Sequence, residues 1–318
     1  MNIAVLGLGL IGGSLLRALS AAGHAVLGFD ADPATRATAR TAAALAPAGR
    51  RWQIAGSVKD AVATADLAVL AVPLPAVAGV LGELGGFRGL LTDVTSVKGP
   101  VRDLVGGRRF VGGHPMAGKE TSGFGAADPA LFEGAAWVLC LEEETATADW
   151  LTLAALVTGL GARAVPATAA DHDRAVATVS HVPHLLATAL AAAAAGEPLA
   201  ATLGAGSFRD GTRVAATRPE LVAAMCGGNA GAVGPALDEV IRSLTEARAR
   251  LAEADPVTAL QPWLHDGNAA RLAWPPRAGE QRDLPARADV LRRLGRAGGW
   301  VTAVSADHRT ITAVLPAD

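Results

Sequence analysis

The hexapeptide GLGLIG, residues 7–12, constrains the fold more than any other segment of this chain. It joins a strand-like run (IAVLG, 3–7) to a helical stretch that ends near Gly23, and a second strand-like run (AVLGFD, 25–30) follows and closes on Asp30. In that setting Gly7 makes a tight turn, Gly9 lets a ligand approach the backbone, and Gly12 lets helix and strand pack closely. The helix that opens there offers its positive end to phosphate. The segment therefore predicts a dinucleotide site built from Gly7, Gly9, Leu10, Ile11, Gly12, Asp30 and Pro73. A carboxylate at Asp30 accepts from ribose hydroxyls and repels a 2′-phosphate, which favours NAD over NADP, although Arg36 nearby is a group that could meet such a phosphate.

Further apolar runs alternate with helical text at 66–73, 90–96, 109–113, 136–141 and 162–166, the pattern of parallel strands joined by crossover helices. Their continuous apolarity suits strands covered on both faces. The predicted fold class is α/β: a Rossmann-type doubly wound parallel sheet over 1–166, an all-α dimerisation and substrate domain over 167–284, and a short tail of helix and β-hairpin over 285–318. Within the helical part, Leu237, Val240, Ile241, Leu244 and Leu251 recur as one apolar stripe with a charged back. The prolines of 255–284 predict irregular or briefly helical structure.

A length of 318 residues allows two domains with sizeable cores, and a net charge of −2 with 18% charged residues excludes a basic face for nucleic acid. The apolar N-terminus lacks a basic region before it, and the alanine-rich stretch 185–195 is too short for a bilayer, so neither export nor a membrane is expected. Two cysteines, Cys140 and Cys226, form no recognisable disulfide or metal pattern and suit a reducing cytoplasm.

Polar residues gather after the later strands. VGGHPMAGKE (111–120) sets His114 in a Gly/Pro loop where it either faces a ligand, exchanging a proton near neutral pH, or is a plain loop residue. DVTSVKG (93–99) supplies Ser96 and Lys98. In DHDRAVATVSHVPH (171–184), His181 and His184 share a helix face, and Pro183, tolerated in a first turn, predicts that both lie at a helix N-terminus able to dock an anion. Core histidines and a metal pair are the other readings of that spacing, although no zinc pattern surrounds it. GAGSFRDGTR (204–213) carries Arg209 and Arg213 in an expected glycine-broken turn, suited to carboxylate capture or to surface ion pairing.

GLGLIGGS, DVTSVKG, FVGGHPMAGKETSG, SHVPH and SFRDGTR, in this order, resemble the prephenate dehydrogenase family, which includes arogenate and cyclohexadienyl dehydrogenases. The resemblance implies NAD-dependent oxidative decarboxylation of prephenate to 4-hydroxyphenylpyruvate, in tyrosine biosynthesis, by a homodimer acting on a small molecule; arogenate is the alternative substrate. It implies His114 as the catalytic base, Ser96 as its partner on the substrate's ring hydroxyl, Arg213 on a substrate carboxylate and His184 in the same pocket, with Glu120, Asp173, Arg209 and Asp210 around its mouth. A β-hydroxyacid dehydrogenase shares the glycine motif but relies on a lysine in its helical half, and no lysine follows Lys119 here. A dinucleotide-sensing dimer is a third reading and has no need of His114, Ser96 and Arg213 together.

Overall fold

The computed structural model describes residues 1–317. The chain forms two compact units, Met1–His172 together with Gln281–Leu315, and a second beginning at Asp173 and running to Glu280.

Six strands form the first sheet: β1 (Asn2–Leu6), β2 (Ala25–Phe29), β3 (Gln53–Ile54), β4 (Leu67–Leu70), β5 (Leu90–Asp93) and β6 (Phe110–Val111). They lie in the order β3-β2-β1-β4-β5-β6 and all pair in parallel. Ile3 to Leu6 and Leu67 to Leu70 are buried throughout, which is why these strands read as unbroken apolar runs instead of alternating ones. The order reverses between β1 and β4, so the chain leaves the carboxyl ends of those strands in opposite directions and opens a crevice beside the glycine loop.

A second sheet is built from β7 (Gly113–Pro115), β8 (Ala136–Cys140), β9 (Arg163–Ala167), β10 (Ala278–Pro285), β11 (Trp300–Val304) and β12 (Thr310–Pro316), in the order β10-β12-β11-β9-β8-β7. The alternation seen in sequence therefore extends over two sheets. β8 and β9, joined by the crossover helix Thr147–Gly159, are parallel, whereas β7–β8, β9–β11 and β11–β12 are antiparallel. Gly112 alone separates β6 from β7, so the chain passes between sheets immediately before His114. The segment after 285 gives the first unit a helix, Ala288–Arg296, and the β11–β12 hairpin. Gly295 lies so close to β9 that a Cβ there would stand 1.8 Å from the Pro166 carbonyl oxygen.

The second unit is helical: Val182–Ala194, Pro198–Leu203, Gly206–Thr212, Pro219–Gly228, Ala230–Arg250 and Pro256–Leu272. The last of these, 17 residues long, is a full helix where its prolines predicted irregular or briefly helical structure. Asp255 caps it by accepting from the Thr258 amide at 3.2 Å, Pro256 sits in its first turn, and Pro262 is accommodated inside. GAGSFRDGTR is likewise helical over Gly206–Thr212, not a glycine-broken turn; none of its glycines adopts a positive φ.

The helical text around Pro183 also differs from expectation. Backbone helix runs from Ala169 to Ala194, with a wide π turn over Ala177–His181. A proline inside an α-helix clashes with the carbonyl four residues earlier, and the wider turn relieves that clash without ending the helix. By length and mean hydropathy this helix is long and apolar enough to cross a bilayer. Its buried His181 and the amide of Asn229 tie it instead to the helix Ala230–Arg250.

Candidate active site

The glycine loop is shaped by two contacts and left open at a third position. Gly7 has φ +101°, and a Cβ there would stand 2.3 Å from the Ala71 carbonyl oxygen; one on Gly12 would stand 1.9 Å from that of Gly7. A Cβ on Gly9 would meet nothing within 4 Å. Gly9 caps the helix Leu10–Ala21 without any side-chain hydrogen bond, and the first turn, with half-buried Leu10 and Ile11, holds no acid. An anionic group close to Gly9 is what those helix N–H groups and their positive end accommodate, so the residues present fit a dinucleotide pyrophosphate.

Asp30 ends β2, where its Oδ2 accepts from the Leu8 amide at 2.7 Å and its Oδ1 from the Asp32 amide at 2.9 Å. Arg36 donates to the carbonyls of Asp30 (2.6 Å) and Ala31 (3.0 Å) and lies over the Phe29 ring. Its guanidinium is thus engaged by the backbone of the very segment that presents the acid. Pro73 is exposed at the N-cap of the helix Leu74–Glu83, beyond β4.

His114 is half-buried in β7, opposite Val138 of β8. The residue before it is gripped on both backbone groups: the Gly113 amide donates to Asp93 Oδ1 at 3.0 Å, and Lys98 Nζ donates to the Gly113 carbonyl at 2.7 Å. Asp93 and Lys98 form an ion pair with each other, both at most 1% exposed, and Thr95 donates to the same carboxylate from its amide (3.0 Å) and hydroxyl (2.5 Å). A buried pair of this kind is tolerable only when its remaining hydrogen-bonding positions are filled, as they are here. Lys98, expected beside Ser96 at a strand end, is therefore an internal brace. Ser96 is half-buried in the same loop, and among the described residues no hydrogen bond engages its hydroxyl.

The loop that follows His114 is tied down as well. Lys119 bonds Asp128 at 2.7 Å, and the lysine's hydrogen bond is the main reason the Asp128 carboxyl is held below the usual carboxylate range. The Asp128 amide donates to Ser14 Oγ at 2.9 Å, in the helix that opens at the glycine loop. The His114 loop and the nucleotide loop thus share a common support. His114 Nδ1 in turn meets Nε2 of His172 at 2.8 Å. Sequence reading passed over both His172 and Asp93; DHD at 171–173 and the aspartate opening DVTSVKG were the available signals.

In the helical unit His181 is fully buried, as the last residue of the π turn and directly before the helix Val182–Ala194. The Asn229 side-chain amide donates to His181 Nδ1 (3.1 Å) and to the Asp173 carbonyl (2.7 Å). His181 is thus held within the helical unit by its bond to Asn229. His184 is half-buried and its Nδ1 lies 2.9 Å from the Ser180 carbonyl; a carbonyl only accepts, so Nδ1 carries the proton and Nε2 is left as the acceptor. Arg209 and Arg213 are exposed, four residues apart on one helical side, with Arg209 3.5 Å from Asp210 and Arg213 at the helix C-cap. Asp173 is buried, whereas Glu120 and Asp210 are exposed.

The family model of the prephenate dehydrogenase nucleotide-binding domain matches residues 15–166, and that of the prephenate dehydrogenase dimerization domain matches 168–265. The chain is 34% identical over 232 residues to a prephenate dehydrogenase of Lactococcus lactis, a match spanning 67% of this chain and 61% of that protein, and so less than two thirds of the relative's length. It is 33% identical over 286 residues to a cyclohexadienyl dehydrogenase of Zymomonas mobilis, spanning 86% of this chain and 95% of that one. The crystal structure of Synechocystis arogenate dehydrogenase, 31% identical, superposes with a TM-score of 0.71 and covers 86% of this chain and 100% of its own. With its glycine loop, its braced His114 strand and its helical unit, the chain belongs to the prephenate dehydrogenase family.

Proposed function

We propose that this protein catalyses the NAD-dependent oxidative decarboxylation of prephenate to 4-hydroxyphenylpyruvate, as a cytoplasmic homodimer serving tyrosine biosynthesis. The observation that carries the reading is the brace around Gly113, which knits the loop bearing Ser96 to the strand bearing His114. NAD, when bound at Gly7, Gly9 and Gly12, supplies the two-electron acceptor. His114 takes the proton of the substrate's ring hydroxyl as that carbon is oxidised, and Ser96 orients the hydroxyl. General-base help of this kind is worth about 100- to 10,000-fold. Departure of the ring carboxyl as carbon dioxide leaves its bonding pair to the ring, which becomes aromatic, and the proton returns to the oxygen as the phenol forms. Arg213 and His184 bind the remaining carboxylate side of the substrate, while Arg209 adds positive charge.

Asp30 favours NAD over NADP, since its carboxylate is held at the end of β2 and Arg36 is occupied by backbone carbonyls. Cytoplasmic placement is supported by Cys140 and Cys226, neither of which is in a disulfide among the described residues. The deciding experiment measures formation of reduced cofactor by the purified protein with prephenate and with arogenate, each with NAD and NADP. Turnover of prephenate with NAD is expected to dominate. A clear preference for arogenate would transfer the same chemistry to the amino-bearing substrate, and no turnover of either would overturn the reading.

A further inference from the structure

His172 lies in the first turn of the helix that begins at Ala169 after β9, and hydrogen bonds fix that turn. The Thr168 hydroxyl accepts from the Asp171 amide (3.0 Å) and donates to the Asp171 carboxylate (2.8 Å), Glu142 accepts from the Ala169 amide (2.6 Å), and the His172 amide donates to the Thr168 carbonyl (2.9 Å). The Thr168 side chain thus caps the turn, and these bonds leave it little freedom. The His172 ring projects from it onto the His114 ring, edge to face, with centroids 5.1 Å apart and planes at 73°. At 2% exposure, His172 leaves no room for water to replace that contact.

Two imidazole nitrogens 2.8 Å apart share one proton, because two N–H groups cannot face each other at that distance. If the proton sat on His172 Nε2, His114 would carry its own on Nε2 and could accept none from a substrate. If it sits on His114 Nδ1, Nε2 offers a lone pair, and after Nε2 has taken a proton the Nδ1–H bond to His172 persists without any ring rotation. We propose that His172 is a positioning residue that holds His114 in the Nδ1–H tautomer, leaving His114 Nε2 as the proton acceptor. The inference rests on the reading of His114 as the base. Of the other charged groups bonded around His114, Asp93 and Lys98 face each other and the Gly113 backbone, and Lys119 faces Asp128.

The test combines nitrogen-detected NMR of the wild-type histidines with the variants His172→Leu, His172→Gln and His114→Asn. In wild type, His114 Nδ1 and His172 Nδ1 are expected to be protonated and both Nε2 atoms bare. His172→Leu is expected to lower kcat about 10- to 100-fold, the usual loss when a partner that orients a functional histidine is removed, with KM and NAD affinity little changed. An acceptor at Nδ1–H favours the charged imidazole, so removing it moves the acid limb of the kcat profile to lower pH. In His172→Gln the amide oxygen accepts in place of the imidazole, and most of the rate and the original limb return. A bare His114 Nδ1 in wild type, or a His172→Leu enzyme with wild-type kcat and acid limb, overturns the proposal. Should the leucine variant fail to fold, the wild-type spectrum and the glutamine variant still decide it. Undiminished kcat in His114→Asn would instead remove the base reading itself.

Discussion

At the scale of single residues, the site separates side chains that build the fold from those left for ligands. Lys98 belongs to the first kind, since its ammonium is bonded to Asp93, Thr95 and the Gly113 carbonyl. Lys98→Met keeps the volume but leaves the Asp93 carboxylate buried without its counter-charge, a change that typically costs about 3–5 kcal/mol. An unfolding free energy from urea titration lowered by that amount is expected, and an unchanged value would show that the pair contributes no net stability. Gly9 belongs to the second kind. Because a Cβ there meets no protein atom, Gly9→Ala is expected to unfold within about 0.5 kcal/mol of wild type, as surface substitutions do. Yet it should weaken NAD at least about tenfold, or about 1.4 kcal/mol, by calorimetry, because the added methyl occupies the approach to the helix N-terminus. Equal NAD affinity in the two proteins would place the pyrophosphate elsewhere.

At the scale of elements, His181 is held by a contact that its motif does not record. The spacing of His181 and His184 put them on one face of a helix; the π turn and Asn229 turned the first into a core brace. His181→Leu removes the acceptor of a buried amide proton, so a loss of about 1–3 kcal/mol in stability is expected. The kcat of the folded variant should stay near wild type, and a specific rise in KM for the substrate would return His181 to the binding site. The strands of the first sheet could be read from sequence because burial on both faces writes an unbroken apolar run. The split into two sheets could not, since period and apolarity do not say which neighbour a strand pairs with, and β3 is only two residues long. Pro262 and Gly267 hid the helix Pro256–Leu272, although Asp255 and Pro256 announced its start. At the site, Gly7, Gly12, Asp30 and His114 carried local signatures. Asp93 and His172 act through partners 20 and 58 residues away in the chain, and no local pattern records such contacts.

At the scale of the whole molecule, the helical unit buries very little of its own apolar surface. Its buried hydrophobic side chains are mostly small, such as Val182, Ala187 and Val233, while Ile241 and Leu244 along one long helix and Leu251 at its C-cap are 50%, 49% and 60% exposed. A stripe of that kind, with charge behind it, stabilises a helix only when another apolar surface covers it. The match of residues 168–265 to a dimerization-domain model supports a second copy of this chain as that cover. A glutamate at the centre of such a patch must either lose its hydration or hold the copies apart, and burying an unpaired carboxylate is too costly for the first outcome. Ile241→Glu and Leu244→Glu are therefore each expected to sediment as monomers at concentrations where the parent chain sediments as a dimer. An exposed surface substitution off the stripe, Glu239→Gln, should leave the dimer intact. If both glutamate variants remained dimeric, the long helix would not carry the interface, and a monomeric parent chain would remove the homodimer from the proposed function altogether.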